Sequence, residues 1–204
     1  MNRPREYDLG TVLEKATDLF WEKGYEGTSI IDLVARTGLN TRSMYNEFGD
    51  KEGLFLACID HYVTESLSDL GKILAKKPLG LSNIEAFFDY QVDNVTPDYF
   101  KGCLIVNAVS EKEILSEKIN SKVKLRISNL IDLMYRCLKA EQDKGGIGKE
   151  VDCMALANYF LCFDFGLMNF GRNQSKKKEI RKIVDFALTT LAPLRTNDCC
   201  ESNI

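Results

Sequence analysis

Hydrophobic positions recur along this chain at helical spacing. Val12, Leu13, Ala16, Leu19 and Phe20 fall at i, i+3 and i+4 steps and predict a helix over about Leu9–Lys23. Asp8 suits its N-cap and Gly24 the position just past its end. In "TSIIDLVARTG", Ser29 stands three residues before Asp32 in a capping-box arrangement, Ile30, Leu33 and Val34 form the apolar face, and Gly38 stops the helix. A third, short helix follows after only Gly38, Leu39 and Asn40, with Met44 and Phe48 as its apolar pair. Asp50 then caps a longer helix expected to reach about Ser68.

Later segments repeat the pattern. "LSNIEAFFDYQVDNV" and "GCLIVNAVSE" are helical, and a long stripe runs through Ile119, Val123, Ile127, Leu130, Ile131, Met134, Cys137 and Leu138 until "KGGIGKE" breaks it. Residues 153–170 are apolar almost all round, which requires burial on several sides. A last stripe, Ile180, Ile183, Val184, Ala187, Leu188 and Leu191, predicts a helix over about Lys177–Leu191. No segment alternates as a strand does, so the expected fold is all-α.

Two short helices joined by a glycine-containing turn, with a supporting helix before them, make a helix-turn-helix over residues 1–50. A helical hairpin of no special function would use the same turn. Residues 51–195 form a larger helical part, with about 51–68 as connector, and 196–204 read as a tail. Hydrophobic residues at 45% and charged ones at 28% suit a soluble globular protein rather than a disordered one. No apolar run is expected to supply the roughly 18 residues of a spanning helix, and "MNRPREYDLG" lacks an apolar signal core. A cytoplasmic protein with no membrane association is expected. The seven cysteines show no C-x-x-C pair and read as free thiols, mostly small buried hydrophobes.

The short helix carries the candidate chemistry. On a wheel of about 100° per residue, Arg42 points away from Met44, Asn46 lies on the Arg42 side, and Thr41 and Ser43 flank Arg42. Arginine forks onto guanine, asparagine pairs with adenine, and hydroxyls serve as donors or acceptors. Tyr45 lies between the faces, within reach of a phosphate. A solvated surface helix would also look like this. Charge argues against DNA: residues 1–61 hold seven Lys/Arg against eleven Asp/Glu, a balance of −4 within a total of −3.

The ordered motifs "AxxLFxxKGY" (Ala16–Tyr25), "TSxxDLVARTGLN" (Thr28–Asn40) and "SMYNEFGDKE" (Ser43–Glu52) resemble the DNA-binding region of TetR-family transcriptional regulators. "YNEFGDKEGLF" with the later "GCLIVN" is similar to a subgroup with a Gly-Cys start to a helix of the second domain. The resemblance implies a dimeric repressor released from a palindromic double-stranded DNA operator by a small, largely apolar effector. It places base reading at Thr41, Arg42, Ser43 and Asn46, and phosphate contacts at Tyr45 and Lys51. It sets Thr28 and Ser29 where a helix N-terminus meets the backbone. Arg3, Arg5 and Arg36 are expected to face DNA as well.

For the larger part, the candidate pocket residues are Phe88, Cys103, Asn107, Tyr135, Phe160 and Phe163, with Asn158 and Asp164 as further polar groups. Candidate dimer contacts are Phe165, Gly166, Asn169, Ile183 and Ala187. Each aromatic would serve equally as core packing. Cys103 opens a helix after Lys101–Gly102, which leaves a thiol-sensing regulator as an alternative. A helical protein-interaction module without DNA binding is the alternative of another class. His61 is the only histidine, and the common nucleophile, zinc and phosphate-loop motifs are absent, so no catalysis, cofactor or metal is expected.

Overall fold

A computed structural model describes residues 7–94, 101–173 and 176–191. Among these are ten helices and no strand: α1 (Leu9–Lys23), α2 (Ile30–Thr37), α3 (Thr41–Phe48), α4 (Lys51–Glu65), α5 (Ser68–Ala75), α6 (Leu81–Asp93), α7 (Leu104–Ser110), α8 (Glu117–Asp143), α9 (Cys153–Asn173) and α10 (Lys177–Thr189). The chain divides into two compact units, residues 1–68 with 101–126, and residues 69–100 with 127–204.

In the first unit α1 lies along α4 and also meets α2 and α7. The α1 stripe supplies Val12, Ala16, Leu19 and Phe20, and α4 answers with Leu54, Phe55, Cys58, Ile59 and Tyr62, all buried. Phe20 meets Phe55 edge-on at 4.8 Å between ring centres, and Trp21 meets Tyr62 likewise at 4.9 Å. A fully buried aromatic such as Phe20 or Phe55 contributes about 1.5–3 kcal/mol. Asp60 on α4 takes two cations from the first turns of α8, Lys122 at 2.6 Å and Arg126 at 2.8 Å.

α4 ends sooner than its pattern suggests. Ser66 caps it, and a further short helix, α5, which the pattern does not announce, begins at Ser68 where the longer one is expected to end.

In the second unit α6 packs on α10. Asn83, buried, holds the turn before α6: its Oδ1 accepts the Gly80 amide at 2.9 Å, while its Nδ2 donates to the carbonyls of Ile73 and Lys76. Arg181 on α10 pairs with Asp89, and Lys177 with Asp93 at 3.1 Å, so charge as well as the Ile180–Val184 stripe joins the two helices.

α9 corrects one expectation. Over Cys153–Arg172 it is, by length and composition alone, long and apolar enough to cross a membrane. Its buried Asp164, hydrogen-bonded to Gln91 of α6 at 2.7 Å, is the polar pairing of a helix inside a protein.

Candidate nucleic-acid interface

Local chemistry fixes the first three helices one cap at a time. Asp8 accepts the Thr11 amide at 2.7 Å. Ser29 and Asp32 close a reciprocal capping box, and Lys23 reaches Asp32 at 3.0 Å. The Ser29 hydroxyl and the Lys23 ammonium hold the Asp32 carboxyl down at about 2. Gly38 ends α2 at φ +74°, a left-handed conformation that costs a residue with a Cβ about 1 kcal/mol or more. The chain then turns through buried Leu39, and Asn40 Oδ1 accepts the Ser43 amide at 2.9 Å to start α3.

Met44 is the buried anchor of α3, and Phe48 is half-buried beside it. Thr41, Arg42, Tyr45 and Asn46 are exposed around it, with Ser43 half-buried among them. Lys51, in the first turn of α4, sets its ammonium 4.4 Å from the centre of the Tyr25 ring. Neither Arg42 nor Lys51 makes an ion pair among the described residues. Three acids of α1 and α2 are engaged elsewhere: Asp32 by Lys23, Glu22 by Arg36, and Asp18 by Lys101. Cations from beyond residue 61, Lys101 on Asp18 and Lys122 with Arg126 on Asp60, offset part of the negative balance of this region.

Two expected contacts change. Thr28 is fully buried, and its hydroxyl donates to the Gly24 carbonyl at 2.7 Å, so it builds the turn before α2 and presents nothing to a ligand. Arg36 forks onto Glu22, at 2.8 and 3.3 Å, because the last turns of α1 and α2 lie side by side; its charge is already matched. Ser29 stays exposed, though its hydroxyl serves Asp32. Arg3 and Arg5 lie outside the described residues. Sequence reasoning passes over Ile31, which is 80% exposed. The signal is available, since an isoleucine off the apolar stripe of an amphipathic helix needs a reason.

The candidate pocket residues do not fall in one unit. Cys103 and Asn107 belong to the first, where Cys103 is the half-buried N-cap of α7 and the Asn107 amide donates to the Trp21 carbonyl at 3.3 Å. Phe88, Tyr135, Phe160 and Phe163 belong to the second. There Phe88 packs against Phe160 and Phe163, at 5.7 and 5.2 Å, and Phe88 and Phe160 are wholly buried. Burial pushes the Asp164 carboxyl up to about 7, the Gln91 amide drawing it partly back. Asn158 is exposed and bonded to its own helix at Met154. Burial also raises the thiols of Cys58 to about 12 and Cys137 to about 11, which leaves them inert. Of the seven cysteines, Cys199 and Cys200 lie outside the described residues. No group of three or more His, Cys, Asp or Glu that could hold a metal occurs among the described residues.

α9 resolves its all-round apolarity into two sides. Cys153, Ala157, Phe160, Leu161, Asp164, Leu167 and Met168 face inward, whereas Met154, Tyr159, Cys162, Gly166, Asn169 and Phe170 are exposed. Phe165 and Ile183 are half-buried. Ala187 is buried within its own unit, on the α10 stripe turned toward α6, so it is unavailable as a dimer contact; its neighbour Phe186, 76% exposed, is the outward residue.

Comparison with known proteins agrees with this geometry. A family profile described as "Bacterial regulatory proteins, tetR family" matches residues 12–58, spanning α1 to α4. The repressor ComR of Escherichia coli (strain K12) is 29% identical over 93% of this chain and 90% of its own. The uncharacterised regulator YezE of Bacillus subtilis (strain 168) is 28% identical over 94% and 100%. Among solved structures, a cysteine mutant of the TetR family transcriptional regulator CifR, complexed with 26-bp double-strand operator DNA, matches with a TM-score of 0.82. It is 26% identical and covers 92% of this chain and 98% of that one. The motifs of α1 to α4, the capped turn between α2 and α3 and these full-length likenesses coincide: the chain belongs to the TetR family of bacterial regulatory proteins.

Proposed function

We propose that the protein is a dimeric transcriptional repressor that reads a palindromic double-stranded DNA operator through α3, in the cytoplasm, and is released by a small molecule. The exposed set Thr41, Arg42, Tyr45 and Asn46, held over a buried Met44 anchor, carries the reading. Arg42 and Asn46 reach base edges, Ser43 and Thr41 supply hydroxyls, and Tyr45, Lys51 and the α2 N-terminus at Ser29 meet phosphates. Ile31 lies on the outer side of α2 and would pack on deoxyribose or a thymine methyl. The DNA-reading part comprises residues 1–50, and 51–195 carry dimerisation and effector binding. The repressor role draws on ComR, which is named as one.

Dimerisation is supported by the outer side of α9 with Phe186 of α10. A Cβ added at Gly166 would meet nothing within 4 Å of its own chain, so the glycine serves no need of a single protomer and suits close approach of a second. Effector binding in the second unit draws on the aromatic group of Phe88, Phe160 and Phe163, with the Asp164–Gln91 pair as its polar handle. No catalytic role is assigned.

The test is a gel shift on duplexes from the DNA flanking the gene against a scrambled duplex, at rising salt. Binding of one flanking sequence with at least about 1,000-fold preference at physiological salt is expected. Equal binding to both duplexes, or to neither, overturns the reading in favour of an interaction module.

A further inference from the structure

The reading head is tied to α7 by a carboxylate whose two bonds are to backbone, not to side chains. Glu111, just past the end of α7, accepts the amide of Tyr25 at 2.8 Å through Oε2 and that of Glu26 at 3.3 Å through Oε1. These amides lie in the turn between α1 and α2, just past the Gly24 cap, and neither donates to a backbone carbonyl among the described residues. Gly24 makes room for the carboxylate. A Cβ there would stand 2.5 Å from Glu111 Oε1, and its φ of +76° already disfavours a side chain. Thr28 closes the far end of the turn on the Gly24 carbonyl, and Ser29 then caps α2. Both ends of the turn are therefore fixed.

The same residue leads onward. The Tyr25 ring stacks on Phe20 and leans on Phe55 at 5.0 Å, and its face carries the Lys51 ammonium. A continuous path thus runs from Glu111 through the Tyr25 backbone and ring to the first turn of α4. Beside it, Lys101 pairs with Asp18 at 2.8 Å and approaches Glu22 at 3.6 Å, and Glu22 holds Arg36 of α2. The Asn107 amide reaches the Trp21 carbonyl between these two ties. Three separate contacts thus fasten the segment from Lys101 to Glu111 along the second half of α1.

We propose that Glu111 is a positioning residue for DNA binding: it sets the Tyr25 turn, and through the Tyr25 ring it sets Lys51 against the operator backbone. α7 is thereby tied, within the first unit, to the turn that leads to the α2 N-terminus and to Lys51. The inference rests on the DNA-binding reading above. Its chemistry is that of a carboxylate capping free amides, a charge-assisted bond that a neutral acceptor replaces only in part.

The experiment uses the full-length chain and the operator selected in the gel shift, with Glu111→Ala and Glu111→Gln. Amide hydrogen exchange of the free protein reads the clamp itself and needs no DNA, so its outcome stands even if the DNA reading fails. In Glu111→Ala the Tyr25 and Glu26 amides should lose protection while the amides of Phe55 and Ile59 keep theirs. Operator affinity should fall about threefold, no more than the loss expected on removing Lys51 itself. Glu111→Gln, which keeps an acceptor oxygen, should recover part of both. A mere packing role would not produce the last readout: in a double-mutant cycle, Glu111→Ala should cost clearly less when Lys51 is already alanine. Unchanged exchange at Tyr25 and Glu26, lost protection with full operator affinity, or strict additivity with Lys51→Ala would each overturn the proposal.

Discussion

Two exposed faces of this molecule differ in kind. The outer face of α3 is polar, with Thr41, Arg42, Tyr45 and Asn46 in water, whereas the outer face of α9 and α10 shows Met154, Tyr159, Phe170 and Phe186. Polar groups in water cost little, and their exposure alone says nothing. Apolar surface left in water forgoes about 25 cal/mol per Å², so a stripe of it on two neighbouring segments calls for a cover. The interiors differ as well. Beneath α3 the anchoring is local, through caps three residues apart, while the inward side of α9 meets residues some seventy positions away, as in the Gln91–Asp164 pair. One face suits a hydrated polyanion and the other a second copy of the chain.

The strongest way to break this comparison is to spoil the apolar face. Gly166→Arg has open space around it in the single protomer, so the chain should fold and melt nearly as before. It should sediment as a monomer at micromolar concentration, and operator affinity should fall by about 100-fold or more as the two linked half-site contacts are lost. A variant that stays dimeric with full affinity would refute the assignment of this face.

The inner side of the same helix gives the next largest effect. Asp164 has a folded pKa raised to about 7 by burial, against an ordinary carboxyl value of 3.8. Between about pH 4 and 7 the folded state therefore binds more protons than the unfolded one, and its stability falls as pH rises. The loss is complete above the folded value, at up to about 4 kcal/mol for a carboxyl raised from 3.8 to about 7. Asp164→Asn keeps an acceptor for Gln91 and removes the charge, so it should stabilise the protein at pH 8 and flatten the pH profile of chemical denaturation. An equally steep profile in the variant would mean that another group drives it.

Arg42→Ala probes the polar face, with an expected cost of about 1–3 kcal/mol on the preferred operator and a relaxed choice of base at one position. Melting temperature should not move, because Arg42 is exposed and without an ion pair among the described residues. A uniform loss over all sequences would demote it to a phosphate contact.

The contrast also explains what could be read from the chain. The first three helices are legible to the residue because Asp8, Ser29, Gly38 and Asn40 act on neighbours three or four positions away. The end of α4 is not, since nothing in "YVTESLSDL" breaks helical periodicity and only Ser66, a modest C-cap, marks the stop. Thr28 and Arg36 mislead for a common reason. Whether Thr28 is exposed and what Arg36 pairs with depend on how the end of α1 meets the turn and α2, and spacing within one helix carries no such information. The same holds for Ala187 and Phe186, adjacent on one helix and opposite in burial. For residues 153–170 the excess of apolar faces is visible, yet which residues turn outward is decided by Asp164 and its distant partner.

The smallest effect sharpens the polar face into two functions. Lys51→Ala should weaken binding to every duplex alike, by less than about 1 kcal/mol at physiological salt, and lower the slope of log affinity against log salt by about one. The Tyr25 ring bears on this, because a cation held over an aromatic face gains about 0.5–1 kcal/mol and loses freedom. Tyr25→Leu should therefore release the ammonium without removing its charge. Its salt slope should stay near that of the parent, since the cation is still present to displace a counterion, while affinity falls slightly from the added cost of ordering the side chain. Lys51→Ala and Tyr25→Leu would then separate charge from placement on a single residue. If Tyr25→Leu lowers the salt slope as far as Lys51→Ala does, Lys51 reaches phosphate only from its seat on the ring.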